Sequence, residues 1–512
     1  MMFSEFGSRI IKTGPSGTLI ALLALLMGTL VGCHNWSEFG EGPTNPHRSS
    51  GPGPSGGLSS SQWLHPFGST ATTHGAEIGL LTDGLGDYYA TSYNSEIHVY
   101  DSAGTFQDAV ALPSGAGPRA VPYVVDDFAN RKAFVFTGSE GGGFHVIEVD
   151  KSTSPYTLSI AASISSVGVS ESSPKRSQAG DFYVAEQWGD VHQFHYDFAT
   201  ATLTQLATFS LGERVAGAIA IYDAVGSTSG EEILVATQDG GFHVLDAGLT
   251  GIIWSETTGY GSSGDPHDEY YGGVTVAERG TADPIALLPL SGQIDRPVSA
   301  NTGMLRAINL STRSIEWEMT PSNTTLGVDQ IPGSVSLMHP FWRLRPGAFQ
   351  VFQGDSEEDI YDDSLVVEFE GEGCNGCTEN FTIETVSEPI RPDEFSGQWK
   401  SPLFVSFLRY YATFASSDGY LYGVNLKTGA EIWAYPLSTQ GVDTPVTDEA
   451  NFVYVGDGAS ILHAVAGKTG TGIWTDSMIA MSATSTATIV KLGISHGKEL
   501  VVGSGVSAYI LK

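Results

Sequence analysis

Positive charge is what this chain has least of. Its 512 residues hold 24 Lys and Arg against 57 Asp and Glu, a formal net charge of −33. A surface that acidic repels phosphate backbones and anionic headgroups, which excludes nucleic acid as a partner and leaves membrane attachment to a covalent or protein-mediated route. No apolar run is long enough to cross a bilayer; the stretch at 18–31 is too short. Cysteine is nearly absent, with Cys33, Cys374 and Cys377 the only three. No phosphate loop, no nucleophile–base pair and no dense ligand set stands out, which favours binding over catalysis.

What is abundant is punctuation. The chain is 41% apolar, and 63 Gly and 24 Pro break it into short apolar runs, the composition of a β protein. Several runs are copies of one another. EIHVYD (96–101), FHVIEVD (144–150), VHQFHYD (191–197), FHVLD (242–246), LRAIN (305–309), LYGVN (421–425) and LHAVA (462–466) share one central position, with a partial copy at 506–512. That position holds His98, His145, His192, His243, Arg306, Tyr422 and His463, spaced by 47, 47, 51, 63, 116 and 41 residues. Most of these steps fit one four-stranded propeller blade. In the last four full copies a Trp follows after 11 residues: Trp254, Trp317, Trp433 and Trp474.

The expected fold is therefore an all-β, eight-bladed β-propeller of four-stranded antiparallel blades. In the unit 398–437, SPLFVSF, YYATFAS, YLYGVNL and EIWAYPL read as its four strands. The last unit supplies only three strands, so a strand near 61–67 is expected to pair beside the C-terminal unit and close the ring. The Trp residues read as structural, covering the seam to the neighbouring blade. The recurring His position reads as a half-polar filler hydrogen-bonded between blades. One His per blade around a ring does not converge on a metal.

The N-terminus reads as an export signal. Arg9 and Lys12 precede the apolar stretch, which ends in Leu30-Val31-Gly32-Cys33. This resembles the bacterial lipobox, which implies cleavage after residue 32 and lipidation (palmitate among the acyl chains) of Cys33. Residue 34 is His rather than Asp, so the resemblance implies an outer-membrane lipoprotein, facing the periplasm or the cell surface. Residues 33–60 are rich in Gly, Ser and Pro and read as a flexible tether with a reach of roughly 30 Å.

The long step between Arg306 and Tyr422 holds roughly 70 residues beyond a blade's need. They are expected within 318–395 as an acidic hairpin insertion of the 61–512 propeller. Asp355, Glu357, Glu358, Asp359, Asp362 and Asp363 crowd there. Such carboxylates could hold Ca²⁺, but their spacing matches no EF-hand loop, and a solvated acidic loop is the plainer reading. Further on, Asn375-Gly376 between two strand-like runs signals a type I′ hairpin. Cys374 and Cys377 flank that turn as an opposed pair within disulfide range, a structural staple; zinc and thiol redox chemistry are the alternatives. A strict two-residue turn would set Glu368 opposite Ile383, which does not sort the faces cleanly, so a bulged or projecting ribbon is expected.

DGYLYGVNLKTGAEIW (418–433) and GASILHAVAGKTGTGIW (458–474) resemble the repeat of the pyrroloquinoline-quinone (PQQ) propeller superfamily. Segments such as GEEILVATQDGGFHVLD (230–246) also look like FG-GAP repeats. The PQQ resemblance implies one of two groups. Quinoprotein dehydrogenases hold PQQ over Ca²⁺ with a carboxylate base and adjacent cysteines, which this chain lacks. BamB-like envelope lipoproteins are non-catalytic scaffolds that bind outer-membrane assembly proteins. The second is the expectation here: no cofactor, and a monomer within a complex of envelope proteins, attached to the membrane through its lipid. A propeller binding carbohydrate, Ca²⁺ or another small ligand is the alternative.

Overall fold

A computed structural model of the chain describes residues 61–66 and most of 80–322, 335–347 and 403–511, together with Thr44, 365–368 and 380–383. Every element among these is a β-strand. Eight four-stranded antiparallel sheets form, each from strands consecutive in the chain with two exceptions. In chain order they occupy 80–111, 123–164, 175–210, 220–257, 275–319, 336–337 with 411–436, 446–477, and 491–511 with 61–66. The first strands of successive sheets lie side by side: Lys175–Arg176 beside Ala220–Asp223, and that beside Thr275–Glu278. Val446–Thr447 lies beside Lys491–Ser495, which lies beside Leu80–Thr82. One exception to chain order is the sixth sheet, whose first and second strands are separated by the strands at 341–409; the other is the N-terminal strand Ser61–Pro66. It pairs with Ser507–Leu511, Trp63 opposite Ile510, at the position expected for residues near 61–67.

Burial follows position in the sheet. Tyr411–Ser416 is buried throughout, and Glu231–Ala236 all but its first residue, because both faces of a middle strand meet a neighbouring sheet. The outer strand Thr202–Ser210 instead alternates exposed and half-buried residues along its length. One sheet alone would leave two apolar faces in water, so the seams between sheets are the core. Between the second and third sheets, Phe136 stacks on Phe182 at 3.8 Å and Phe144 on Phe194 at 4.6 Å.

The 11-residue interval has a geometric cause. In seven sheets the ladder between third and fourth strands slips by one residue, always one place after the recurring position. Trp254, Trp317, Trp433 and Trp474 each stand opposite the residue just before that slip: Val244, Ala307, Gly423 and Ala464. In the first three sheets the same place is taken by Asp108, Ala162 and Ala207. There the turn differs in length, so the bulge persists while the interval does not.

The excursion after Trp317 overlaps the expected 318–395 but begins and ends later. The chain divides into one unit of 1–338 with 412–512 and a second of 339–411. The extra residues thus leave from within the sixth sheet, between its first strand, Ser336–Leu337, and its second, Tyr411–Ser416. The run SPLFVSF (401–407), read from the sequence as that sheet's first strand, overlaps the strand Leu403–Arg409, which pairs instead with Phe341–Gly347 in the second unit. Both runs are short and apolar, and periodicity alone does not tell a blade strand from a ribbon strand. Within the second unit Leu365–Glu368 pairs with Asn380–Ile383, and Glu368 faces Asn380. That register is not the one a two-residue Asn375-Gly376 turn imposes; the connection takes up 369–379.

Candidate functional site

The recurring position is polar and buried in every full copy. It is not a filler between sheets, as the sequence suggested; its partners lie mostly within its own sheet. His463 Nε2 meets Asp457 Oδ2 at 3.1 Å, and His192 Nε2 meets Glu186 Oε1 at 2.5 Å, each acid six residues upstream in the turn joining the second and third strands. His145 contacts Ser139 Oγ at the same offset (3.3 Å) and Ser163 Oγ on the opposing strand (2.9 Å). His98 uses an acid two residues upstream, Glu96, at 3.0 Å. Arg306 donates to Glu318 directly across the ladder, and the Tyr422 hydroxyl donates to Asp418. Two contacts do leave the sheet: His243 to Glu213 (3.1 Å) and His463 Nδ1 to the Tyr435 hydroxyl (3.4 Å).

Burial sets the charge state of several of these groups. It pushes the His98 and His145 imidazoles below their ordinary range, so both rings are neutral near pH 7. It pushes the Asp418 carboxyl up despite the Tyr422 hydrogen bond. Asp457 is buried as well, but His463 and the N–H groups of Ile461 and Ala459 outweigh burial and hold it low. These are hydrogen-bonded structural pairs, satisfied in place.

The Trp residues lie on outer strands, and two of them donate across a seam. Trp317 Nε1 donates to the Leu426 carbonyl of the next sheet at 3.1 Å, and Trp433 Nε1 donates to Gly467 at 2.7 Å. Each ring lies on the glycine of the next sheet's Lys-Thr-Gly turn. A Cβ on Gly429 would stand 2.6 Å from Trp317, and one on Gly470 would stand 2.7 Å from Trp433. Both glycines have φ +69. Trp254 packs half-buried against the seam of the fourth and fifth sheets, and Trp474 against Tyr454.

The third sheet differs from the others at the recurring position. Glu186, Asp190 and His192 bring three potential ligand atoms within 4.8 Å of one another, the one such grouping among the described residues. The sequence marked His192 as a member of the repeat but passed over both acids. The signal was present: acids six and two residues upstream of the same His occur together only here among the seven copies. The turn carrying them also holds Trp188, 64% exposed, with the Arg214 guanidinium 5.4 Å from its ring centre. Cys33, Cys374, Cys377, Asp355, Glu357, Asp359, Asp362 and Asp363 lie outside the described residues.

Residues 401–510 match the family described as outer membrane protein assembly factor BamB. No curated protein matches the chain. Among solved structures, Sqt1 of Saccharomyces cerevisiae is similar over 86% of this chain and 97% of its own, with 10% identity and a TM-score of 0.52. A europium-containing methanol dehydrogenase is similar over 94% of this chain and 91% of its own, at 12% identity and a TM-score of 0.51. BamB of Moraxella catarrhalis aligns over 88% of this chain and 98% of its own, at 13% identity and a TM-score of 0.46. The fold is an all-β propeller, and the likeness to solved structures bears on fold alone.

Proposed function

We propose that the chain is a non-catalytic, lipid-anchored envelope β-propeller that serves as a protein-interaction scaffold in outer-membrane protein assembly. The observation that carries this reading is the match of 401–510 to the BamB family, across the sheets where the Trp–Gly seam recurs. In this reading Cys33 bears the lipid, 34–60 is the tether, and the second unit, 339–411, reaches the partner, stapled by a Cys374–Cys377 disulfide. The recurring polar residues support a binding role over a catalytic one, because their side chains already have partners within the fold.

Leu337 pairs with Ala412, so the ends of the excursion are adjacent and a short turn can replace 339–410. Full-length chain and this deletion variant are purified from detergent-solubilised outer membranes. The full chain is expected to bring down subunits of a β-barrel assembly complex, and the deletion variant to lose them while keeping the same melting temperature. Absence of assembly subunits from the full-length pull-down would overturn the reading.

A further inference from the structure

We propose that Glu186, Asp190 and His192 form a binding site for one divalent transition-metal ion of the zinc class. This goes beyond the scaffold reading and does not depend on it.

The repeat itself is the argument. Where the recurring His faces an acid in its own sheet, one acid suffices: Glu96 for His98, Asp457 for His463. The third sheet supplies acids from both offsets at once. Glu186 is already hydrogen-bonded to His192. The half-buried Asp190 carboxylate beside them makes no hydrogen bond or ion pair with any described residue. A spare carboxylate next to a buried Glu is a cost unless something positive joins it.

The site is held in place. Glu186 N donates to Asp190 O and Gly189 N to Glu186 O, both at 2.9 Å, which closes the turn. Gly189 has φ +95, and a Cβ there would sit 2.2 Å from the Glu213 carbonyl, so the turn is locked against the next connection. Gly168 roofs Glu186 with bare backbone; a Cβ at that position would meet Oε2. On the far side of the imidazole, Nδ1 faces Thr208 Oγ1 at 2.9 Å and the Gln205 amide at 3.0 Å. With Nε2 on a metal, Nδ1 carries the proton and can donate it to Thr208 Oγ1, the orientation of metal-binding histidines.

One imidazole and two carboxylates suit Zn²⁺ and its neighbours rather than Ca²⁺, which takes oxygen ligands throughout. Three protein ligands leave a fourth position for water at the half-exposed Asp190 edge. Two metal–ligand bonds of about 2.1 Å at a tetrahedral angle put their donor atoms roughly 3.4 Å apart. The Glu186–His192 contact of 2.5 Å must therefore open by roughly 1 Å, and the proton between them leaves Nε2, passing to Nδ1 or to solvent.

The test is calorimetric titration of chelator-treated full-length chain with ZnCl₂, alongside Co²⁺ absorption as a coordination readout. The wild type is expected to bind one equivalent that Asp190→Asn and Glu186→Gln each weaken at least tenfold, with loss of the tetrahedral Co²⁺ bands. Asp190→Asn breaks no existing bond, so its metal-free melting temperature should equal the wild type's. That separates lost ligation from lost folding. Asp457→Asn, at a pair with a single acid, should leave the stoichiometry unchanged. No zinc binding by the wild type, or equal affinity in Asp190→Asn, would overturn the proposal.

Discussion

Seams late in the chain and seams early in it bury equivalent faces by different means. From the fifth to the seventh sheet each seam is filled by one indole, which caps a carbonyl of the next sheet and lies on a turn glycine. Between the third and fourth sheets the equivalent carbonyl, Ala247 O, is capped by the Tyr183 hydroxyl at 2.6 Å. Between the second and third, stacked phenylalanines take over. Between the first and second, an apolar cluster that includes Val99, Val124 and Ile147 is joined by a buried ionic one. Lys151 is buried against Asp83 and Asp87 (2.9 Å from the latter), the Tyr89 hydroxyl donates to Asp83, and Gly84 N donates to Asp126. The late seams rest on packing and so tolerate loss of charge. The first adds to its packing one cation shared between two acids, with a third, Asp126, close by.

Removing that cation should have the largest effect. Lys151→Met leaves Asp83 and Asp87 buried without a counter-charge, and breaking such a pair costs about 3–5 kcal/mol. Urea denaturation is the measurement. A loss under about 1 kcal/mol would mean the early seam is held by its apolar residues after all, and the contrast would fail.

The late seams break at a glycine. Gly470→Ala forces an L residue to φ +69 and drives its Cβ into Trp433, at a cost of about 2–3 kcal/mol. The third sheet has the same left-handed turn position filled by Ala201 at φ 52, exposed, with no indole of the preceding sheet at its place in the ladder. Ala201→Gly should therefore shift stability by no more than about 1 kcal/mol. A gain from Ala201→Gly as large as the loss from Gly470→Ala would show that the turn, not the Trp, demands the glycine.

That contrast also explains how much could be read beforehand. The fold was legible because Trp433 and Gly470 constrain each other, and a mutual constraint leaves a strict interval in the sequence. The early sheets keep the bulge and the left-handed turn, but Ala162, Ala207, Ala201 and Leu249 carry no such signature. The true first strand of the sixth sheet, Ser336–Leu337, is two residues long, so the apolar run at 403–409 outweighed it. In the third sheet His192 was visible as a repeat residue. Its acids stand at offsets of six and two in the sequence, but that Glu186 and Asp190 converge on it shows only when the turn closes.

The smallest expected effect sharpens the comparison through pH. Burial, then Asp83, pushes the Asp126 carboxyl up to about 6, although the Gly84 N–H and Lys151 pull it down. An acid whose folded pKa is raised holds its proton in the native state after the unfolded chain has lost it. Its contribution is therefore most favourable at low pH and declines as pH rises from about 4 through 6. Asp126→Asn keeps an acceptor for Gly84 N and removes the ionisation, so the variant should match the wild type near pH 4 and exceed it by about 1 kcal/mol at pH 7. Melting temperatures across that range test the sign: a variant less stable at pH 7 would mean Lys151 needs all three carboxylates, and that the first seam has no charge to spare.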